Sequence, residues 1–328
     1  MRALLTGAAG QDGTILASHL AAHGAQIYGL IKPGTDYQRL VRYVPDLTVV
    51  QTDLSDSEGL RSVIDEVKPT HIWNLGGFTA PGESWDREEE VRSINVDAVA
   101  VMLETAHRHG TGTRFFQASS SHIFEGTDRS PQNENFELSP TSPYARSKAQ
   151  ALQLVRRFRD EHGMFAVSAI LYNHESPLRG ENFVTRKVTK AVARISRGLQ
   201  ETLELGDIEV ARDWGWAPDY VRATLLMLTA ENPKDYVLAT GISHRLSFFV
   251  LKAFAAVGID DWQQYVVTSA SDRPIDTNMM VGDPRSAYLE LGWRHTVDFD
   301  SIAQRMVHHD LELLDDPQAL WRDPWMVN

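Results

Sequence analysis

The sequence predicts an α/β fold, a doubly wound parallel sheet with a smaller C-terminal lobe, on the strength of two observations. Short apolar segments such as Arg2–Thr6, Gln26–Ile31 and His71–Leu75 alternate with helical segments such as Glu58–Val67 through the first half of the chain. A glycine-rich loop also joins the first strand to the first helix. Parallel strands separated by helices are connected by right-handed crossovers, which build a sheet of this kind.

The other elements continue the same alternation to about residue 172. Further elements are the strands Leu47–Gln51, Arg114–Ala118 and Ala166–Tyr172, and the helices Gly13–His23, Asn95–His109 and Ser147–His162. After this point the strands become shorter and the helix Phe183–Gly198 is rich in basic residues. We expect one domain over residues 1–172 and a second lobe over residues 173–328, interleaved with the last strands of the sheet.

Composition narrows the class of protein. Hydrophobic residues make up 42% and charged residues 23% of the 328 residues, as in ordinary globular proteins. The chain has no cysteine, so it has no disulfides and no thiolate metal ligands, and we expect a cytoplasmic protein without a metal site. The net charge of −12 argues against nucleic-acid binding, and no apolar stretch is long enough to cross a membrane.

The loop after the first strand has the spacing of a phosphate-binding loop. Gly7 permits the tight turn, Gly10 allows a pyrophosphate to approach the backbone, and Gly13 allows the helix to pack closely on the strand. Gln11 and Asp12 lie at the helix N-terminus, whose free N–H groups attract anions. The pattern predicts that residues 1–172 are a Rossmann-type dinucleotide-binding domain, and that residues 173–328 are mainly a substrate-binding lobe.

Residues at the ends of the next strands indicate which dinucleotide is bound. An acidic residue after the second strand would repel a ribose 2′-phosphate, whereas this chain has Lys32, which favours NADP over NAD. An exposed lysine without a role is the alternative. The remaining cofactor-binding candidates lie at the ends of the third and fourth strands: Asp53, Leu54, Leu75, Gly76 and Gly77.

The candidate catalytic residues lie after Arg114–Ala118, the fifth predicted strand. Tyr144 and Lys148 are four residues apart, which places them on one face of a helix. A nearby ammonium group stabilises a phenolate, so this tyrosine could remove a hydroxyl proton while hydride leaves the same carbon. Ser120, in the serine-rich segment after Arg114–Ala118, could orient the substrate oxygen.

These motifs resemble known enzymes. The segments Thr6–Gly13 and Ser119–Ser121, with Tyr144 and Lys148, resemble the extended short-chain dehydrogenase/reductase family. Over nearly the whole chain the sequence is more specifically similar to GDP-mannose 4,6-dehydratases, through the segments Asn173–Gly180, Phe183–Lys187 and Arg212–Gly215.

The resemblance implies roles for individual residues. Ser120, Tyr144 and Lys148 would be catalytic, and His174 and Arg179 would join Tyr144 and Lys148 in the cofactor site. The residues around the sugar nucleotide would be Ser121, Asn173, Val184, Lys187, Arg212 and Arg273. Basic side chains at these positions suit a diphosphate, because guanidinium and ammonium groups pair well with it.

One position departs from the family pattern and keeps alternatives open. The family usually has Thr-Ser-Glu where this chain has Ser120, Ser121 and His122, and the glutamate removes the C5 proton of the sugar. His122 could replace that base, because histidine titrates near neutrality. A 4-epimerase or a 4-ketoreductase would need no such base, and His122 could also be an ordinary loop histidine. A non-catalytic nucleotide-sugar binder is the remaining alternative.

The resemblance therefore implies an NADP-dependent dehydratase. It would convert GDP-mannose to GDP-4-keto-6-deoxymannose by transient oxidation at C4, loss of water across C5 and C6, and return of hydride to C6. Scaffolds of this family commonly pair through two helices per subunit, so we expect a homodimer formed by the helices at Asn95–His109 and Ser147–His162.

Overall fold

In the computed structural model, which describes residues 1–110, 112–269 and 280–327, a parallel seven-stranded sheet forms the centre of the molecule. The strands in chain order are β1 (Arg2–Thr6), β2 (Gln26–Ile31), β3 (Thr48–Gln51), β4 (His71–Asn74), β5 (Arg114–Ala118), β6 (Ala166–Leu171), β7 (Asn173–Glu175), β8 (Leu203–Leu205), β9 (Ala211–Trp216), β10 (Tyr236–Leu238), β11 (Ser243–Arg245) and β12 (Val266–Thr268). The order across the central sheet is β10-β6-β5-β4-β1-β2-β3. The strand order reverses between β1 and β4, which is where such sheets open a crevice for ligands.

The helices in chain order are α1 (Gln11–Ala22), α2 (Gln38–Tyr43), α3 (Ser57–Val67), α4 (Glu88–Arg92), α5 (Ala98–Arg108), α6 (Pro143–His162), α7 (Val184–Ser196), α8 (Ala217–Thr229), α9 (Leu246–Ala255), α10 (Arg285–Glu290), α11 (Phe299–Asp315) and α12 (Pro324–Val327). Both faces of the sheet are buried. Leu4 and Phe115 pack with residues of α3, α5 and α6, whereas their neighbours Leu5 and Phe116 pack with residues of α1 and α8. Burial on both faces explains why these strands are continuous apolar segments.

The part of the chain after β6 builds smaller sheets beside the central one. Strands β11, β9 and β7 form one sheet, and β12 pairs with β8 in another. A separate apolar cluster joins α7, α9 and α11, and includes Trp214 and Trp216 of β9. Strand β10 returns to the central sheet and pairs in parallel with β6. The chain therefore crosses between the two regions more than once.

Three helices begin two or more residues away from the positions expected from the sequence. Helix α6 begins at Pro143 rather than Ser147, because Ser142 caps it: its hydroxyl accepts a hydrogen bond of 3.1 Å from the Ala145 N–H. Helix α1 begins at Gln11. Helix α5 begins at Ala98, after a π-helical turn over Ser93–Asp97. Within the described ranges no helix has the length and apolarity needed to span a bilayer.

Candidate active site

A cleft of about 540 Å³ opens at the carboxyl ends of the central strands, at β1 and β4, between which the strand order reverses. The loop after β1 and the loop after β4 touch at its floor. Gly7 has a φ of +63°, and a Cβ atom added there would lie 2.7 Å from the Gly76 nitrogen. Only glycine fits this turn, since both the left-handed backbone and the close approach exclude a side chain.

The N-terminus of α1 is suited to hold phosphate. Gly10 occupies the N-cap, and no side chain among the described residues caps the helix. The first N–H groups of α1 are therefore available to an anion in the cleft, where the helix dipole adds to the attraction. The glycine floor and this helix terminus together fit the pyrophosphate of a dinucleotide.

Gln11 and Asp12 connect α1 to the strand β7. The Gln11 side-chain amide donates a 3.1 Å hydrogen bond to the carbonyl oxygen of His174, and the hydroxyl of Ser176 donates to the Gln11 Oε1 at 2.8 Å. Asp12 Oδ2 lies 2.9 Å from His174 Nε2. These two predicted cofactor residues thus also fix the start of the second lobe against the phosphate-binding loop.

His174 is held between two acceptors. Its Nδ1 lies 2.7 Å from the Tyr172 carbonyl oxygen, and its Nε2 faces Asp12. Burial alone would lower the pKa of His174, but the Asp12 carboxylate raises it above the ordinary value. With an acceptor at both ring nitrogens, the favoured form is the imidazolium, which donates twice. Arg179 lies nearby, with its Nε 3.3 Å from Glu175 and its guanidinium over the ring of Phe183.

The opposite end of the cleft is lined by the residues after β2 and β3. Lys32 Nζ lies 3.4 Å from Asp53 Oδ2, and the lysine side chain is 60% exposed. A backbone hydrogen bond from Ser55 lowers the pKa of Asp53, and the charge of Lys32 acts in the same direction. Lys32 thus carries a positive charge at the rim, while Leu54 and Leu75 form part of the lining.

A chain of buried hydrogen bonds connects the strand ends to α6. The Thr6 hydroxyl donates to Asn74 Oδ1 at 2.6 Å, and the Asn74 amide donates to Gln117 Oε1 at 2.8 Å. The Gln117 amide donates to the Ala118 carbonyl oxygen at 3.0 Å, and Lys148 Nζ donates to the same oxygen at 3.1 Å. The position of Lys148 is therefore tied to β1, β4 and β5.

Tyr144 and Lys148 are both buried on one face of α6, as the four-residue spacing predicts. Lys148 Nζ lies 5.8 Å from the centre of the Tyr144 ring, and burial lowers the pKa of Lys148 to about 8. Burial raises the pKa of Tyr144, while a hydrogen bond with Ser120 and the charge of Arg179 act in the opposite direction. The pKa of Tyr144 therefore lies above its ordinary value, which is the opposite of the lowering expected from Lys148, because burial is the largest influence.

His122 lies beside the tyrosine. It sits in a 3₁₀ turn over Ser121–Phe124 that Ser120 caps, with its ring 5.5 Å from the Tyr144 ring in an edge-on arrangement. Its Nδ1 is 2.9 Å from Oε2 of Glu125. The fold thus brings Ser120, His122, Tyr144 and Lys148 to one end of the cleft, next to Gly77: a Cβ atom there would lie 3.4 Å from Lys148 Nζ.

Asn95 belongs to this group, and the sequence did not indicate it. Its Oδ1 accepts a 2.9 Å hydrogen bond from the Phe78 N–H, and its amide donates to the Ser147 hydroxyl at 3.0 Å. The side chain thereby joins the loop after β4 to α6. A polar residue on the buried face of a predicted helix could have drawn attention to Asn95. Helical residue spacing, however, does not predict the π-helical turn that positions its side chain.

The predicted substrate residues lie mainly on the second lobe. Asn173 in β7 pairs with Trp214 of β9, and Arg212 is in the same strand β9. Lys187 lines a second cleft of about 370 Å³ on α7, together with Lys190 and Arg194. The remaining predicted residues are Val184, exposed at the start of α7, Ser121, buried in the 3₁₀ turn, and Arg273, which lies outside the described residues.

Comparisons with known proteins agree on the fold and the family. A family model described as GDP-mannose 4,6 dehydratase matches residues 4–306. GDP-mannose 4,6 dehydratase 1 of Arabidopsis thaliana is 38% identical over 326 residues, which span 95% of this chain and 90% of that protein.

Two solved structures share the fold. UDP-glucose 4-epimerase of Thermus thermophilus, solved with NAD, has a TM-score of 0.82 at 24% identity and covers 94% of this chain and 99% of its own. RMD from Pseudomonas aeruginosa, complexed with NADPH, has a TM-score of 0.78 at 21% identity and covers 95% of this chain and 97% of its own. Both are similar in fold along nearly the whole chain.

Replacing Lys148 by methionine should stabilise the protein at neutral pH. The folded-state pKa of about 8 lies below the ordinary 10.5, so the unfolded chain binds more protons between these values and the free energy of unfolding rises with pH. Below about pH 8 the full cost of the buried charge is present, roughly 3 kcal/mol at about 1.4 kcal/mol per pKa unit. We expect Lys148→Met to gain up to that amount near pH 7, measured by urea unfolding, and to lose the advantage towards pH 10.5.

The control is Lys234→Met, which removes a half-exposed lysine paired with Glu290. A stability difference between wild type and Lys148→Met that stayed constant with pH would contradict the assignment of a buried, charged Lys148.

Proposed function

Since the chain belongs to the GDP-mannose 4,6-dehydratase family, we propose that it is an NADP-dependent lyase that converts GDP-mannose to GDP-4-keto-6-deoxymannose. The observation that carries the proposal is the placement of Tyr144, Ser120 and Lys148 together at one end of a glycine-floored cleft. A phenol buried beside an ammonium group and a dinucleotide site is the arrangement needed to oxidise a sugar alcohol reversibly.

The cofactor would be held by the glycine floor at Gly7 and Gly76, the N-terminus of α1 and the charge of Lys32. Bound there, the nicotinamide supplies the reversible acceptance of a hydride, taken from C4 of the sugar and given back at C6. The protein supplies the geometry. His174 and Arg179 would each place a cation near the phosphate-binding loop, partly offset by the neighbouring carboxylates of Asp12 and Glu175.

Tyr144 would act as the base at the C4 hydroxyl. Ser120, hydrogen-bonded to the phenol, would orient the same substrate oxygen. Lys148 would favour the phenolate by its charge, and its hydrogen bond to the Ala118 carbonyl holds that charge in place. Proton removal at oxygen and hydride loss at carbon leave a ketone at C4.

His122 would carry the middle step. The ketone acidifies the C5 hydrogen, so a neutral imidazole can take this proton. The C5–H electrons form a C5=C6 double bond, the C6–O bond breaks, and the proton leaves with the hydroxyl as water. The ring of His122 lies against Tyr144, which places it next to the group that would work at C4.

The nucleotide diphosphate would be bound by the second lobe. Lys187, Lys190 and Arg194 line one cleft, and they outnumber its two glutamates, Glu181 and Glu204, which leaves a local positive charge on a protein whose net charge is −12. Arg212 in β9 would add a guanidinium, and Arg273 is proposed from the sequence alone. Such groups pair well with phosphate oxygens.

Epimerisation or ketone reduction is the second candidate, because His122 stands where the family has a glutamate. Neither reaction needs a proton to leave C5. Product mass and cofactor use distinguish the three outcomes. A dehydratase product is lighter by one water and an epimer has unchanged mass, whereas a reductase consumes the reduced cofactor stoichiometrically.

We expect purified protein to convert GDP-mannose to a product lighter by one water, with no net consumption of cofactor. Tyr144→Phe should slow this conversion on the order of 10²–10⁴-fold, because the base at C4 is lost. Mass spectrometry of the sugar nucleotide is the measurement, with UDP-, dTDP- and CDP-sugars as alternative substrates. Tyr28→Phe, which removes a phenol outside the cleft lining, is the matched control and should keep full activity. An unchanged substrate mass with a new sugar would reject dehydration in favour of epimerisation.

Lys32 should distinguish NADP from NAD. Lys32→Ala removes the positive charge after β2, and we expect the Kd for NADP to rise about tenfold, roughly 1.4 kcal/mol, while the Kd for NAD changes little. Calorimetry with each dinucleotide measures this, and Lys234→Ala on the far surface controls for net charge. Equal weakening of both dinucleotides would mean that Lys32 does not read the 2′-phosphate.

We also propose that the chain forms a homodimer through α5 and α6. Exposed Glu104 on α5 and Arg157 on α6 flank one cleft and offer opposite charges that a two-fold axis could pair. Light scattering should give a molecular mass twice the 36.8 kDa of one chain, and Arg157→Glu should lower the measured mass towards that of one chain. A wild-type protein with the mass of one chain would exclude the dimer, and Arg197→Glu, on α7's C-terminal side, is the charge-matched control.

A further inference from the structure

His122 is joined to a carboxylate that the sequence did not single out. Glu125 lies at the end of the same 3₁₀ turn, with its Oε2 2.9 Å from His122 Nδ1. The side chains of His122 and Glu125 are 29% and 16% exposed, so this contact is partly shielded from water. A hydrogen bond between a carboxylate and an imidazole is stronger when it is shielded in this way.

The other oxygen of Glu125 is fixed by the polypeptide before α6. Glu125 Oε1 accepts hydrogen bonds from the Thr141 N–H at 3.1 Å, the Thr141 hydroxyl at 2.7 Å and the Ser142 N–H at 2.6 Å. Ser142 is the N-cap of α6, the helix that carries Tyr144 and Lys148. The carboxylate therefore links His122 directly to the start of the catalytic helix.

These contacts determine the protonation of the pair. Burial alone would raise the pKa of Glu125, but the hydrogen bonds from His122, Thr141 and Ser142 lower it to about 2. Glu125 is then an anion at every pH at which the enzyme would work, and a carboxylate can only accept hydrogen bonds. The proton of a neutral His122 must lie on Nδ1, so the lone pair lies on Nε2.

We propose that Glu125 is a positioning residue: it holds His122 in the Nδ1–H tautomer and in one orientation, so that Nε2 is the atom that removes the C5 proton. This inference rests on the proposed function and deepens it. As the C5 proton bonds to Nε2, the C5–H electrons form the C5=C6 bond and the C6–O bond breaks. The imidazolium formed in between is stabilised by the adjacent carboxylate, and it returns the proton to the departing hydroxyl as water.

Glu125→Gln tests this role with little change in shape. A glutamine amide donates a hydrogen bond, so it would place the lone pair of His122 on Nδ1 and the proton on Nε2, the reverse of the proposed arrangement. We expect elimination of water to fall on the order of 10³-fold, while oxidation at C4 survives. A mixture of enzyme and GDP-mannose should then show a lasting near-ultraviolet absorbance of reduced nicotinamide, which wild type does not accumulate. The control is Glu137→Gln, which removes the charge of an exposed glutamate in the same loop and should behave as wild type.

A second readout does not depend on turnover. Two-bond ¹H–¹⁵N correlation spectra of histidine-labelled protein report which ring nitrogen carries the proton, and His122→Asn identifies the signal among the 12 histidines. We expect Nδ1–H in wild type and Nε2–H in Glu125→Gln. Wild-type Nε2–H, or Glu125→Gln elimination within a few-fold of wild type, would overturn the inference. A wild type that never dehydrates GDP-mannose would instead overturn the proposed function, and the spectra would still decide the tautomer.

Discussion

The buried ammonium group of Lys148 is the constraint on which the rest of the site depends. A charge so far from water needs a fixed acceptor, and the Ala118 carbonyl at the end of β5 supplies it. That carbonyl is also the last member of a hydrogen-bond chain that begins at Thr6, and the Thr6 hydroxyl accepts from the Gly76 N–H at 2.9 Å. Helix α6, which carries Tyr144, and the glycine floor of the cleft are therefore parts of one buried polar network. A shift of either would leave polar groups without partners.

The central sheet could be predicted because its strands are buried on both faces and leave a simple apolar pattern. The start of α6 was predicted at Ser147, four residues too late, although Ser142 and Pro143 are a suitable N-cap and first residue for a helix that begins at Pro143. The sequence predicted that the second lobe is interleaved with the last strands of the sheet, but it did not assign β10 or its pairing with β6. This pairing joins segments more than sixty residues apart, and a three-residue apolar segment contains no local information about its partner.

The site shows the same division between local and tertiary information. The glycine loop and the spacing of Tyr144 and Lys148 are local patterns whose geometry follows from strand, turn and helix. Glu125 and Asn95 function through contacts made by distant segments: Glu125 with residues 141 and 142, and Asn95 with Phe78 and Ser147. No spacing rule indicates these contacts. The sequence likewise did not indicate that burial raises the pKa of Tyr144, because this burial depends on how α6 packs on the sheet.

The pair formed by His122 and Glu125 also explains how a histidine can stand where the family has a glutamate. A single carboxylate base changes from −1 to neutral when it takes the C5 proton. A neutral imidazole with a bound carboxylate likewise begins at −1 and becomes neutral overall when Nε2 is protonated. The electrostatic change seen by the substrate and by Lys148 is thus nearly the same for both bases. An isolated histidine would instead create an uncompensated positive charge in a partly buried site, which is unfavourable. The carboxylate of Glu125 is therefore what makes the substitution compatible with the same elimination.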